Sequence, residues 1–329
     1  MKFLDIRTDF AFKKVFGSKE SKPRLISFLN SILDFDDDSK IADLTIADPY
    51  NIPKLKGMKD TYVDVKAELT DGTSVIIEMQ MLNHPGFEKR VLYNAAKNYS
   101  MQLVKGQRYD LLKPVIALNI VNFNMFDDSS EMISAYKLLN KKDFSDYNDD
   151  IELIFIELNK FTKTKAQCQG IQDDWIYFVK NAGEMSNIPE NLPQQVQSAY
   201  EVSNEAGMTK EELEIQDKKR EWIAIQVGSL VMAEQKGEAK GIEIGEAKGL
   251  EIGKAKGIEI GEAKGIEIGE AKGIEIGEAK GIEIGEMKKA KAVAIKLFLA
   301  GMTDDKEISD ISGLPVDEVT ILRASQIPE

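Results

Sequence analysis

The sequence predicts an α/β fold over roughly its first two hundred residues, a small sheet flanked by helices. Three observations carry that reading. Asp71-Gly72 lies between two β-rich runs, as a hairpin turn does. Residues 115–123 form a continuous apolar run of strand length. Residues 8–17 and 23–33 instead repeat their apolar side chains at helical spacing.

Each element follows from local chemistry. In the first helix Thr8 serves as N-cap, Phe10, Ala11, Val15 and Phe16 supply the apolar positions, and Gly17 is the stop. A second helix starts near Pro23, carries Leu25, Ile26, Phe28, Leu29 and Ile32, and ends in the acidic run 34–38. Strands are expected at 41–47, 62–69 and 73–81. A helix with Arg90, Tyr93, Ala96, Lys97 and Tyr99 follows, then strands at 115–123 and 151–158.

Composition limits the function classes. The chain has 329 residues, 43% of them hydrophobic, enough to bury a core and about the length of two domains. Lys and Arg total 43 against 56 Asp and Glu, a net charge of −13. That balance argues against non-specific coating of duplex DNA and against a membrane-surface anchor. A metal site built from carboxylates is compatible with it. Cys168 is the single cysteine and His84 the single histidine. An internal disulfide, a Cys-rich zinc site and a multi-histidine metal cage are therefore excluded. A secretory signal and an 18-residue apolar run are both missing, so the expectation is a cytoplasmic protein with no membrane span. Cys168 is expected to be a small buried hydrophobe.

From Gly241 to Lys288 the chain is an octapeptide repeat. It reads GIEIGEAK, GLEIGKAK, then GIEIGEAK three times, then GIEIGEMK, and holds 12 of the 24 glycines. Ile-Glu-Ile alternation favours a strand, while Ala, Glu and Lys without proline favour a helix. Glycine at every fourth position costs a helix roughly 1 kcal/mol each relative to alanine. Four residues advance a helix about 400°, so the glycine row drifts about 40° per step and no fixed seam forms. A long, weakly stable helix acting as spacer or self-association element is the expectation. The GxxxG spacing is no membrane-dimer motif here, because every copy carries Glu and Lys.

The expected organisation is thus a domain at 1–200, a helical connector at 201–236, the repeat spacer at 237–288 and a small segment at 289–329. In the last, a helix stops at Gly301, a second is capped by Thr303, and a third short helix follows Gly313-Leu314-Pro315. This resembles a helix-turn-helix. Asp317 and Glu318 with only Arg323 make its third helix a poor major-groove reader, which favours protein contact over DNA contact.

The hairpin at 61–81 concentrates the chemistry. A three-residue loop, Thr70 to Gly72, places Val63, Val65 and Ala67 opposite Met79, Ile77 and Val75, giving one wholly apolar face. Gly72 then takes the position that needs positive φ. The same register sets Asp64 opposite Glu78 and Tyr62 opposite Gln80, with Lys66 on that face too. Directly opposed carboxylates repel unless a cation lies between them. A divalent-metal site and a solvated polar face both fit this pattern.

These residues resemble the PD-(D/E)XK nuclease fold in its transposase-like branch, the Rpn family of recombination-promoting nucleases. The stretches that carry the resemblance are TDFAFKKVFG at 8–17, LISFLNSIL at 25–33, VDVKAEL at 63–69, IIEMQM at 76–81, the run at 90–120 and FIELNKF at 155–161. The resemblance implies a central mixed sheet and a metal-dependent DNA endonuclease using Mg²⁺, with Mn²⁺ as the alternative ion. Asp64 matches the motif aspartate and Glu78 the glutamate of E-x-K. Gln80 stands in the lysine position, where it can orient a water but not deprotonate it. Lys66 is a candidate for the missing cation. Asp9 resembles an additional acidic position near the metal, although an Asp9–Lys13 ion pair one helical turn apart accounts for it equally well. Lys13, Arg90, Lys97 and Lys105 are candidate DNA contacts. Tyr93 and Tyr99 are expected in the core or groove wall, and His84 in a loop without a role. The competing function is a nuclease fold that has lost catalysis and binds DNA or protein, assembling through its repeat.

Overall fold

The computed structural model describes residues 1–33, 35, 39–51 and 61–326. The acidic run expected to end the second helix lies almost wholly outside them. The chain divides into two compact units, 1–233 and 234–329.

The first unit opens with α1 (Asp9–Phe16). Thr8 caps it by accepting the Ala11 N–H, and Gly17 closes it. Gly17 is required by close approach, since a Cβ there would sit 2.8 Å from the Lys13 carbonyl oxygen. Helix α2 (Lys22–Ile32) follows, with proline in its first turn. Six strands form one sheet: β1 (Leu44–Ala47), β4 (Val65–Leu69), β5 (Ser74–Gln80), β6 (Val115–Val121), β7 (Ile133–Leu139) and β8 (Asp146–Glu157), in the order β1-β4-β5-β6-β8-β7. The β5–β6 and β6–β8 pairs are parallel and the others antiparallel, so the sheet is mixed. Two short strands, β2 (Tyr50–Asn51) and β3 (Thr61–Tyr62), pair separately. Helix α3 (Phe87–Ser100) connects β5 to the parallel β6. Helices α4 (Gly170–Asn181) and α5 (Gln194–Ser203) come after the sheet. The expected strand at 62–69 is broken in two, and β7, β2, α4 and α5 were not foreseen.

Alternation along the strands feeds two cores. Val65, Ala67, Val75, Ile77, Leu118 and Ile156 pack with α1, α2, α4 and α5, around the rings of Phe16, Phe28, Trp175 and Phe178. Ile76, Ala117, Val121 and Phe155 pack with Phe87, Val91 and Ala95 of α3 on the opposite face. Strand β6 is buried at all seven positions, six of them apolar and the seventh Asn119, whose amide donates to the Ala117 and Ile154 carbonyls. Cys168 is only half-buried, because it sits in a connection before α4 rather than inside either core.

The hairpin register is as read from the sequence over Val65↔Ile77, Lys66↔Ile76, Ala67↔Val75 and Glu68↔Ser74. The Leu69 N–H reaches the Thr73 carbonyl and Gly72 has φ 89°, which closes the three-residue loop. The register ends at Asp64. Its N–H bonds the Ile77 carbonyl, so Asp64 and Val65 both address Ile77 and the ladder slips by one residue. Val63 consequently joins the α3-side core instead of the face shared by Val65 and Ala67. Tyr62 faces Tyr50, not Gln80.

Helix α6 (Lys210–Leu299) carries the whole octapeptide repeat, so the strand alternative is not adopted. Its first turns belong to the first unit. Gln216 accepts from the Thr8 hydroxyl at 2.9 Å, Lys14 pairs with Glu212, and Arg220 donates to the Phe3 carbonyl at 3.2 Å. In the second unit α7 (Asp305–Ser312) and α8 (Val316–Gln326) pack on the end of α6 through Ala294, Ile308, Leu314 and Val319. Asp304, not Thr303, caps α7, because its carboxylate accepts the Lys306 and Glu307 N–H groups. Arg323 is turned inward to Asp305 at 2.7 Å and the Thr303 carbonyl at 2.5 Å. Among the described residues no helix is long and apolar enough to cross a membrane.

Candidate active site

The slip at Asp64 builds the site. Met79 has lost its backbone acceptor, and the Asp64 carboxylate replaces it, accepting the Met79 N–H through Oδ2 at 2.8 Å. The other oxygen, Oδ1, lies 3.3 Å from the Lys13 ammonium. One strand over, Glu78 Oε1 is 2.6 Å from Arg90 Nη2, and Oε2 accepts from Asn94 at 3.4 Å. Asp64 and Glu78 line one cavity of about 240 Å³, together with Arg7, Thr8, Asp9, Gln80, Lys219, Trp222 and Ile223 among others.

Both carboxylates are mostly buried, and burial pushes both carboxyls above their ordinary values. For Asp64 the Met79 N–H and Lys13 oppose that shift, and for Glu78 Arg90 opposes it. Asp64 adds to the rise at Glu78, so the pair repels as the sequence suggested. The cavity therefore concentrates two desolvated oxygen ligand groups whose ionised form lacks full compensation.

The remaining predicted residues separate into those near this pair and those away from it. Gln80 lines the cavity, but both ends of its amide are engaged: Nε2 donates to the Leu82 carbonyl and Oε1 accepts from Arg90, each at 2.8 Å. It holds Arg90 on Glu78. Asp9 also lines the cavity and is 3.4 Å from Lys219. The expected Asp9–Lys13 pair does not form, since Lys13 turns to Asp64. Among the described residues no group of three or more His, Cys, Asp or Glu side chains is close enough together to hold a metal ion. Asp9 is near enough to Asp64 to add to the rise of its carboxyl. Lys66 is not among the cavity's lining residues. The slip puts it on a different course from Asp64, and its acidic neighbours are Glu68 and Asp48.

Of the candidate DNA contacts, Lys13 and Arg90 are paired with the two carboxylates. Lys97 is only 3% exposed, on the inner side of α3, which removes it from any surface a duplex meets. Lys105 is exposed in the turn after α3. Tyr99 is half-buried and donates to Asp150 at 2.9 Å.

The sequence reading missed Arg7, Lys219, Trp222 and Ile223. Lys219 and Trp222 arrive from α6, far along the chain from the hairpin, with the ammonium 5.7 Å from the indole centroid. No local motif marks them, and only docking of α6 on α1 brings them in.

A family model described as PD-(D/E)XK nuclease family transposase matches residues 6–224. No curated protein and no solved structure matches the chain. The match begins just before α1, and every residue lining the cavity, from Arg7 to Ile223, falls inside it. The match covers well over half of the chain and the mixed sheet flanked by helices is consistent with that fold, so the chain belongs to the PD-(D/E)XK nuclease family transposases.

Proposed function

We propose that the chain is a divalent-metal-dependent DNA endonuclease of recombination-promoting or transposase-like type, hydrolysing phosphodiester bonds. The observation that carries this reading is the meeting of Asp64 and Glu78 in one cavity, both desolvated, with Asp64 adding to the rise at Glu78 and Asp9 to that at Asp64. Carboxylates in that condition are fitted to a hard cation, and Mg²⁺ needs only one or two of them beside waters and phosphate oxygens. Mn²⁺ takes the same donors. When bound by Asp64 and Glu78, such an ion supplies Lewis-acid charge and a water of lowered pKa.

The chain's own residues do the rest. Lys13 and Arg90 pair with the two carboxylates and would be the cations beside a phosphate bound there. Gln80 positions Arg90. Asp9 positions Lys219, whose ammonium enters the cavity in a motif that has glutamine where lysine is usual. Lys105 is an outlying phosphate contact. The repeat at 237–288 serves as spacer, and its isoleucines, exposed on every side, offer apolar surface for self-association. Equal sedimentation-derived association states for the full chain and a chain lacking the six octapeptides would remove that last role.

The test is incubation with supercoiled plasmid in Mg²⁺, Mn²⁺ or EDTA, beside Asp64→Ala and Glu78→Ala. Metal-dependent nicking or linearisation, lost by at least about 10²-fold in both variants, is the expected result. A second reading, a nuclease fold that binds without cutting, draws on the Lys13 and Arg90 ion pairs, which offset part of the carboxylates' desolvation. Folded wild-type protein that cleaves no more than its variants decides for it.

A further inference from the structure

Glu78 lines a second cavity, on the α3 side of the sheet. This one is about 810 Å³ and is walled by β3, the segment 84–86 and the first half of α3. Its lining differs in kind from that of the first. Tyr62 and Tyr93 present rings that are 62% and 40% exposed, an unusual investment of aromatic surface beside a carboxylate site. The inner face of Tyr62 is stacked on Tyr50 at 4.3 Å, which fixes the ring and leaves its outer face open. His84 is held edge-on to Phe87 at 5.8 Å. Lys89 and Arg90 supply positive charge. Gly86 caps α3 without a side chain, so no side chain competes for the first-turn amides.

Two buried polar atoms point to a ligand. Thr61 is 7% exposed and Asn94 is 2% exposed; both line this cavity. Thr61 Oγ1 and Asn94 Oδ1 have no hydrogen-bond partner among the described residues. Both atoms are closed to solvent as the wall stands, and leaving such groups unmet costs about 1–3 kcal/mol each, so a small opening of the wall toward a ligand's donors and acceptors is favoured. A nucleobase has that pattern on its edge and a π-face for the tyrosines. Its phosphate suits Lys89 and the Glu88 and Lys89 amides of α3, the Phe87 N–H already donating to the His84 carbonyl. A base paired within a duplex keeps its π-face stacked and its Watson–Crick edge engaged, so neither is offered to such a pocket.

We propose that this cavity binds an unpaired nucleotide of the strand being cut, next to the scissile phosphate, so that the substrate is single-stranded or locally melted DNA. The proposal rests on the nuclease reading above. Glu78 is the link, since it borders both cavities.

The test separates binding from cutting. Fluorescence anisotropy in Ca²⁺ compares the full chain on a labelled oligo-dT with the same strand annealed to oligo-dA. Tyr62→Ala and Tyr93→Ala should each weaken single-strand binding about 5- to 100-fold, while duplex binding changes less than about 2-fold. Tyr62→Phe and Tyr93→Phe should retain it, because stacking needs the ring and not the hydroxyl. Wild-type protein that fails to bind the single strand overturns the proposal, as does equal weakening on both probes or no effect of either alanine. Plasmid cleavage that survives in Tyr62→Ala beside unchanged single-strand binding sinks this proposal and leaves the nuclease reading standing. Tyrosine-dependent single-strand binding by a protein that never cleaves sinks the nuclease reading and keeps only the nucleotide-binding role of the cavity.

Discussion

In residues 1–233 every α1–α5 helix is short and buries one face, while in residues 241–288 a single helix runs through six octapeptides and buries none of their side chains. The first region shows what tertiary packing adds. Trp175 is fully buried against Phe16, Phe28 and Phe178, and its indole N–H donates to Ser27 at 3.1 Å. Each helix there is held by its apolar stripe, not by intrinsic propensity. The second region has only propensity. Its glycines have open space around them, and its isoleucines are more than half exposed. Twelve glycines in 48 residues cost on the order of 10 kcal/mol of helix propensity relative to alanine, with no packing to offset it. The two regions should therefore respond to mutation by different rules.

A pair of truncations breaks the comparison most directly. Trp175→Ala should cost about 3–5 kcal/mol, while Ile266→Ala, at a position 62% exposed, should cost less than about 0.5 kcal/mol. Thermal unfolding followed by near-ultraviolet circular dichroism checks both. A similar loss at Ile266 would mean that the repeat buries its isoleucines against another chain.

A smaller effect is expected at the site itself, and it depends on pH. Burial raises the Asp64 and Glu78 carboxyls, so the folded protein holds those protons more tightly than the unfolded chain does. Their contribution to stability is complete below the unfolded values and is lost as pH rises through the raised ones. In EDTA at pH 7, Asp64→Asn and Glu78→Gln should thus melt a few degrees above wild type, about 2–4 °C per kcal/mol. The gap should close as the pH falls towards 4. Mg²⁺ should raise the melting temperature of the wild type and not of the variants. A wild type that outlasts both variants at pH 7 without metal would contradict the sign of these shifts.

The smallest effects belong to the repeat. Gly257→Ala should add roughly 1 kcal/mol of local helix propensity, read as a higher far-ultraviolet helical signal on warming. Deleting two whole octapeptides should leave the unfolding transition of residues 1–233 within about 1 °C of wild type. A collapse of that transition would show that the repeat supports the first unit and is no spacer.

Much of the hairpin could be read from its residues because its signals are local. Asp71-Gly72 fixes the turn, and alternating apolar residues fix the register from Val65 to Glu68. The same logic failed one residue further on. At Asp64 a carboxylate accepts a backbone N–H that the ladder should have used, and alternation cannot foresee a slip made by a side chain. That slip sent Val63 to the other core and parted Asp64 from Lys66. Lys97 illustrates the opposite limit. A lysine on a helix reads as solvated, and only the packing of α3 on the sheet buries it.

By itself, the sequence determined the α/β class, the caps of α1 and the loop of the hairpin, and it brought Asp64 and Glu78 forward as candidates. The caps and the loop depend on residues within a few positions of one another, and the class on their periodicity. Tertiary structure alone decided which cations meet those carboxylates, that Gln80 is spent on Arg90, and that Lys219 and Trp222 of α6 enter the cavity. The physical reason is desolvation. Once folding buries Asp64 and Glu78, the nearest ammonium and guanidinium groups are drawn to them, and which groups those are depends on how distant segments pack.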